Sequence, residues 1–314
     1  MHQMKIAILG AGAMGSIFGA WLSRRHEVRL IDIWQEHIDT IRENGLLIEA
    51  HGKAQCYHPQ AVTNARNVGP VDLVIVFVKS IDTATAVSQN RELFGPRTMV
   101  LTLQNGWGNA EDILKCVDPA NLFLGTTAHG GNVLGPGKIC HAGHGQTFVG
   151  VHSGSPERAQ RIVDILGESG FETYITENAA AMIWKKLIIN AAINPLTALL
   201  KVRNGYLADS GMAMELMEKI VREAVTVAGA AGMDFDPAVM VAEVVKVARL
   251  TGANRSSMLQ DVTAKRRTEV DRINGAIVAR GEAAGIATPC NLMMLQLIKA
   301  LEGTYRGYPP IVSA

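Results

Sequence analysis

Apolar residues follow two different rhythms along this chain. In the first half, short and nearly continuous apolar runs stand between amphipathic stretches; in the second half only helical spacing remains. The runs at residues 5–9, 28–31, 71–78, 99–103 and 122–126 predict strands buried on both faces, as in a parallel sheet covered by helices. The run at 71–78, mostly β-branched or aromatic, is the strongest. Between them, 14–24 and 34–43 predict helices, the second closed by Asn44-Gly45, where a glycine can take a left-handed C-cap. Residues 46–49 predict a short, locally paired strand, 130–150 loops and short antiparallel strands, 156–169 a helix, and 172–175 a strand. Beyond about Glu177 the segments 179–200, 209–232, 236–249, 256–284 and 289–302 all carry helical periodicity, and strand signals stop.

Strands alternating with helices predict an α/β fold, a doubly wound parallel sheet of the Rossmann type. The change of texture predicts a second, C-terminal all-α domain. The expected division is 1–177 for a dinucleotide-binding domain and 178–314 for a helical substrate and catalytic domain. A chain of 314 residues is long enough for two cores. Its formal net charge of +1 sets up no global field for nucleic acid or an anionic membrane, so neither is expected as a partner. No apolar stretch approaches the about 18 residues of a membrane span. Cys56, Cys116, Cys140 and Cys290 are scattered without a CxxC pair, which fits reduced thiols in a soluble, cytoplasmic protein.

Candidate chemistry begins at residues 10–15. Gly10, Ala11, Gly12, Ala13, Met14 and Gly15 have the GxGxxG spacing directly after a predicted strand and at the start of a predicted helix. Gly10 permits a tight turn, Gly12 lets backbone amides approach a pyrophosphate, and Gly15 lets helix and strand pack closely. The open amides and dipole at the helix start then hold the phosphates. Asp32 ends the second strand, where a carboxylate accepts bonds from ribose hydroxyls and repels a 2′-phosphate. NAD(H) is therefore favoured, with NADP(H) the alternative if Arg29 or Arg42 rescues a phosphate; an ordinary exposed Asp at a strand end would leave the same pattern. Lys79 and Asn105 follow two later strands, at the edge where open α/β sheets bind ligands. Lys186, Asn190 and Asn194 recur at i, i+4 and i+8, one stripe of an otherwise apolar helix. Buried, that stripe needs polar partners such as a substrate; a solvated face explains it equally well from pattern alone.

Four segments in order resemble the ketopantoate reductase (2-dehydropantoate 2-reductase) family: Val78-Lys79-Ser80, the stretch Leu103 to Gly108, the stretch from Trp184 through Lys186, Asn190, Asn194 and Pro195, and Ser256 through Asp261 to Glu269, Asn274 and Gly275. The resemblance spans nearly the whole chain, and its last two segments are the specific ones. It implies hydride transfer from a reduced nicotinamide to C2 of a 2-oxo acid, in a cleft between the domains, as in pantothenate biosynthesis. By resemblance Lys186 is the general acid and Glu269 its acidic partner. Asn190, Asn194 and Ser257 bind substrate, with Asn254 a weaker candidate, and Lys79 and Asn105 lie at the nicotinamide end. Spacing alone does not join Ser257, Asp261 and Glu269, since Ser257 and Glu269 do not share a stripe of an unbroken helix.

One departure stands out. NADPH-using members commonly carry an arginine just after the second strand, whereas this chain reads Leu30-Ile31-Asp32-Ile33-Trp34. That resembles the NAD-preferring branch, which includes D-2-hydroxyacid dehydrogenases acting on branched or aromatic 2-oxo acids. The other readings are a 3-hydroxy acid or sugar acid dehydrogenase of the same architecture and a non-catalytic dinucleotide sensor; the latter is disfavoured because Lys186 and Glu269 are both present. His129, His141 and His144 crowd one stretch without an acidic or Cys partner at ligand spacing, so no metal is expected. Met293-Met294-Leu295 is expected as core filling, and Lys265-Arg266-Arg267 as a solvated helix face. The expected partner is a small-molecule 2-oxo acid, and the apolar helical half leaves room for a homodimer.

Overall fold

The computed structural model describes residues 3–305. Its backbone forms two compact units. The first takes the residues up to Gln104 together with Gly108–Met182; the second takes Asn105–Trp107 and the residues from Ile183 onward.

In the first unit the elements run β1 (Lys5–Leu9), α1 (Ala13–Leu22), β2 (Glu27–Ile31), α2 (Gln35–Asn44), β3 (Leu46–Ala50), β4 (Lys53–Tyr57), β5 (Gln60–Val62), β6 (Leu73–Val76), α3 (Thr83–Gln89), β7 (Met99–Thr102), α4 (Asn109–Ile113), β8 (Leu122–Thr127), β9 (Gly130–Gly135), β10 (Lys138–Gly143), β11 (Thr147–Val151), α5 (Pro156–Glu168) and β12 (Thr173–Ile175). Among the described residues, eight strands form one sheet in the order β12-β11-β8-β7-β6-β1-β2-β5. All its pairings are parallel except β8 with β11. The order runs outward in both directions from β1, the doubly wound pattern that places a ligand crevice beyond the strand ends. Ile6, Ile8, Leu30, Leu73, Ile75, Leu101 and Phe123 bury into one core, and the alternate Ala7, Leu9, Val74, Val76 and Val100 are buried too, so both faces are covered and these strands read as continuous apolar runs.

A second sheet, β4-β3-β10-β9, was not expected. Residues 46–49 are more than a local pair, because β3 is antiparallel to β4 and parallel to β10. The β4 strand escaped the sequence reading because Lys53, Ala54, Gln55 and Cys56 are all exposed, so it has no buried alternate face.

The helical unit contains most of α6 (Ala179–Leu200), then α7 (Asn204–Asp209), α8 (Gly211–Ala230), α9 (Pro237–Leu250), α10 (Ser257–Thr263), α11 (Asn274–Ala283) and α12 (Pro289–Gly303). The segment expected at 209–232 breaks at Ser210, whose hydroxyl accepts from Ala213 N and caps α8. The helix expected across 256–284 is likewise interrupted. Lys265 takes a left-handed backbone (φ 51°) just past α10, and Thr268 is held by Glu302 Oε1 through both its amide and its hydroxyl, at 2.7 Å each. A short 3-10 turn (Val270–Arg272) then leads into α11. Lys265-Arg266-Arg267 therefore lies in a link rather than on a helix face, with Arg266 paired to Asp261 (3.2 Å) and Arg267 to Asp271 (3.3 Å). Of the methionine pair, Met294 is buried and Met293 is mostly exposed.

Pro195 lies inside α6 and has no N–H for the Ala191 carbonyl one turn back. Asn274 Nδ2, from the start of α11, donates to that carbonyl at 3.1 Å and also to Asn291 Oδ1 at 3.1 Å. Asn291 Nδ2 in turn reaches Ile220 O and Glu223 Oε2. A helix that a proline would weaken is thus braced by its neighbours. Asn274→Ala, which leaves a buried carbonyl unpaired, is expected to destabilise the protein by about 1–3 kcal/mol. An unchanged denaturant midpoint would remove this bond from the account of the fold.

Candidate active site

The glycine turn closes against its surroundings on two sides. Gly10 has φ 96°, and a Cβ there would stand 2.5 Å from Val78 N. A Cβ on Gly15 would run into the Gly10 carbonyl oxygen. Gly12, the N-cap of α1, differs: a Cβ there would meet nothing within 4 Å. The tight positions need glycine for packing, whereas Gly12 faces open space and offers no capping side chain to the amides of Ala13 and Met14 behind it. These features fit a dinucleotide pyrophosphate at the start of α1.

Side chains fix the shape of this turn. Gly137 N donates to His37 Nδ1 at 2.9 Å, so that nitrogen is an acceptor and Nε2 carries the proton. His37 Nε2 then donates to Ser16 Oγ (3.4 Å), and Ser16 Oγ donates to Ala11 O (2.7 Å). Burial lowers the His37 pKa, as this neutral tautomer requires. Asp32 Oδ2 accepts from Ala11 N at 2.7 Å and Oδ1 from Trp34 N at 3.0 Å. The carboxylate is thereby fixed at the end of β2 while keeping lone pairs for further donors.

A cavity of about 360 Å³ opens beside the turn, lined among others by Gly10, Gly12, Asp32, Ile33, Asn64 and Lys79. Neither arginine considered as a phosphate partner lines it. Arg29 bonds Gln60 and Glu27, and Arg42 pairs with Asp39 on the exposed side of α2. Among its described lining residues Lys79 is the only base, against the carboxylates of Asp32 and Asp82. Lys79 begins the 3-10 turn after β6. Gln104 Nε2 steadies that loop by donating to Val78 O (2.7 Å) and Thr83 Oγ1 (2.8 Å). Ile33, Asn64 and Asp82 were missed from sequence; Asn64 follows β5, a three-residue strand too short to show a pattern.

In the helical unit the amine of Lys186 is desolvated, and burial lowers its pKa from 10.5 to about 8, while the Glu269 carboxylate acts in the raising direction. Its neighbour Lys185 is a surface residue paired with Glu243 at 3.0 Å. The two lysines thus differ, and a solvated face for both is excluded. Asn105 Nδ2 donates to Glu269 Oε2 at 3.4 Å, so Asn105 belongs with this cluster. Its backbone is fastened nearby. A Cβ on Gly106 (φ 82°) would stand 2.7 Å from Arg272 O, and Trp107 N donates to that same carbonyl at 2.9 Å. Trp107 also packs on Trp184 and under the Arg280 guanidinium.

Asn194 is buried, and its Nδ2 meets Ser257 Oγ at 3.5 Å. The start of α10 is drawn to α6 because Ser256 Oγ, which caps α10 at Leu259 N, also bonds Thr197 Oγ1 at 2.7 Å. Asn190 lies one turn before Asn194 and is partly buried. Lys186 of α6 thus forms one group with Glu269 and Asn105, and Asn194, farther along α6, forms another with Ser257 of α10. Asn254 is exposed in the turn before α10, where its carbonyl accepts from Asn204 N.

A doubly wound sheet with a glycine turn shaped for a pyrophosphate, accompanied by a helical unit holding a desolvated lysine, defines a nicotinamide-dependent oxidoreductase. The models of "Ketopantoate reductase PanE/ApbA" and "Ketopantoate reductase PanE/ApbA C terminal" match residues 6–154 and 178–302. A 2-dehydropantoate 2-reductase of Halobacterium salinarum is 35% identical over 94% of this chain and 98% of that protein. Another from Pyrococcus abyssi is 35% identical over 96% and 99%. The ternary structure of D-mandelate dehydrogenase with NADH and anilino(oxo)acetate is 32% identical, with a TM-score of 0.92 over 97% of this chain and 100% of that one. A PanE/ApbA family ketopantoate reductase from Ralstonia eutropha JMP134 is 29% identical, with a TM-score of 0.89 over 97% and 100%. The chain belongs to the ketopantoate reductase family.

The amine of Lys186 is expected to titrate near pH 8. Its rate of acylation by a limiting small reagent, followed by peptide mass, should break there rather than near 10.5. Glu269→Gln should move the break lower, because the charge that favours the ammonium is gone. A break near the ordinary lysine value would contradict the burial of this amine.

Proposed function

We propose that the protein reduces the C2 carbonyl of ketopantoate or a related 2-oxo acid, with Lys186 as general acid. The observation that carries this reading is the desolvated amine of Lys186 beside Glu269, with a pKa of about 8. At neutral pH that amine is mostly ammonium, yet it releases its proton far more readily than an ordinary lysine. A reduced nicotinamide supplies the hydride. Lys186 stabilises the negative charge that grows on the C2 oxygen and then protonates it. Glu269 favours the charged amine where solvent cannot, and Asn105 orients the carboxylate. Asn190, Asn194 and Ser257 bind the polar groups of the substrate, with Asn254 at most peripheral. The turn from Gly10 through Ala11, Gly12, Ala13 and Met14 to Gly15 holds the pyrophosphate; Asp32 takes the ribose hydroxyls, and Lys79 borders the same cavity.

NADH is the preferred donor in this reading, because the cavity offers a 2′-phosphate Asp32 and Asp82 against Lys79 alone. A second reading, an NAD-dependent D-2-hydroxyacid dehydrogenase for branched or aromatic 2-oxo acids, is favoured by the likeness to D-mandelate dehydrogenase at a TM-score of 0.92. No helix among the described residues is long and apolar enough to cross a membrane. We place the protein in the cytoplasm, where its four unpaired cysteines stay reduced. A homodimer remains part of this reading, since the helical unit exposes large apolar side chains such as Met212, Val239 and Leu250.

The direct test follows the loss of reduced-nicotinamide absorbance when NADH and NADPH are each offered with ketopantoate and with branched and aromatic 2-oxo acids. Turnover with ketopantoate supports the first reading, turnover confined to the others supports the second, and consumption with none sinks both. Lys186→Ala is expected to lower kcat by about 10²–10⁴-fold while cofactor binding persists. Full activity in that variant would remove Lys186 from the mechanism. Asp32→Ala also frees Ala11 N and so weakens both cofactors, but the ratio of NADH to NADPH affinity should fall roughly tenfold or more, as for loss of a charged hydrogen bond. An unchanged ratio would count against the ribose role.

A further inference from the structure

Three imidazoles that take no part in the reaction converge in the first unit. His129 follows β8 of the large sheet, His141 lies on β10 of the small sheet, and His144 lies in the link to β11. One nitrogen from each lies within 4.8 Å of the other two. His129 Nδ1 and His141 Nε2 are 3.0 Å apart, and the His141 and His144 rings stand 3.9 Å apart at their centroids. His141 is only 3% exposed.

Hydrogen bonding does not satisfy this cluster. With His129 Nδ1 and His141 Nε2 spent on each other, His129 Nε2 and His141 Nδ1 are both buried without a partner. The Gly143 carbonyl acts on the His141 ring but makes no hydrogen bond of acceptable geometry. Whichever ring donates, each keeps a buried nitrogen unpaired, at a cost of about 1–3 kcal/mol for each such group. Protonation does not relieve this, because burial first and the neighbouring imidazoles second push His129 and His141 down to about 4. The rings are therefore neutral at pH 7, the form in which imidazole ligates a metal.

We propose that His129, His141 and His144 bind one late first-row divalent cation, zinc in the first instance, which staples the two sheets of the first unit. The donor set selects the ion: three imidazoles without a carboxylate suit zinc, copper or nickel and not magnesium or calcium, which take oxygen ligands. Tetrahedral zinc at about 2.0–2.1 Å from each nitrogen spaces its ligands about 3.4 Å apart. The observed separations, 3.0 Å between His129 Nδ1 and His141 Nε2 and no more than 4.8 Å across the cluster, bracket that value. Binding exchanges the His129–His141 hydrogen bond for metal bonds; the ring protons then sit on His129 Nε2 and His141 Nδ1, whose surroundings do not change, so the gain lies in the metal bonds. His144, which is exposed, provides the entry path and leaves the fourth position to water. The crowding of the three histidines was visible in the sequence; the fold adds that His129, after β8, and His141, on β10, stand 3.0 Å apart.

The test is calorimetric titration of Zn2+ into tag-free, chelator-stripped full-length protein. One equivalent per chain is expected, together with a higher melting temperature. His141→Ala risks misfolding, so the informative variant is the exposed His144→Gln. It should weaken binding by more than the roughly 10- to 100-fold typical of losing an outer-shell partner, and should abolish the zinc-dependent rise in melting temperature. His152→Gln, outside the cluster, should leave both unchanged. Absence of saturable uptake by the wild-type chain, or uptake that survives His144→Gln undiminished, overturns the proposal.

Discussion

An ammonium kept out of water is the constraint around which the helical unit is arranged. Desolvation favours the neutral amine of Lys186, and the Glu269 carboxylate favours the charged one. Burial alone would lower the amine's hold on its proton further, and full solvation would leave it as in an ordinary lysine. The intermediate state requires Glu269 to stay in place, and its neighbours fix it: Asn105 bonds its oxygen, and Thr268, the residue before it, is held by Glu302 on α12. The same unit braces α6 itself, since Asn274 takes over the Ala191 carbonyl that Pro195 leaves without a donor.

The two units meet their functional demands by different means. In the first, the candidate site is made of backbone, and side chains shape that backbone. Ser16, His37 and Asp32 spend hydrogen bonds on Ala11 and its surroundings, and Gly12 contributes by having no side chain. In the second, the polar groups of the candidate site are side chains, and each needs its own support. Asn194 illustrates this. It is buried, and its bond to Ser257 is long at 3.5 Å. Such a bond keeps the amide from standing unpaired yet exchanges readily for a stronger acceptor such as a carboxylate.

That difference also decides what was legible from sequence. The glycine turn, its flanking strand and helix, and Asp32 are set within about thirty residues, so local spacing sufficed. The stripe of Lys186, Asn190 and Asn194 was visible too, but not its burial, because α6 is apolar nearly all round and shows no preferred inner face. Glu269 and Ser257 could not be joined by periodicity, because the break between α10 and α11 depends on Lys265 adopting φ 51° and on a contact from Thr268 to Glu302, 34 residues on. Asn105 follows a strand of the first unit in sequence yet clusters with the second. The second sheet was hidden for the opposite reason: β4 buries almost nothing, so its partners and not its pattern make it a strand.

Charge at the dinucleotide cavity follows from the same economy of support. A carboxylate at the end of β2 does two things at once, anchoring Ala11 N in the glycine turn and presenting negative charge beside the cavity. A basic side chain at position 32 could attract a phosphate but could not accept the Ala11 amide, because Lys and Arg are donors only. Accommodating a 2′-phosphate at this edge would therefore require a new acceptor for Ala11 N as well as a new cation. Arg29 is held by Glu27 and Gln60, and Arg42 pairs with Asp39 on the exposed side of α2. In the proposed reading, the preference for an unphosphorylated ribose is thus tied to the geometry of the glycine turn.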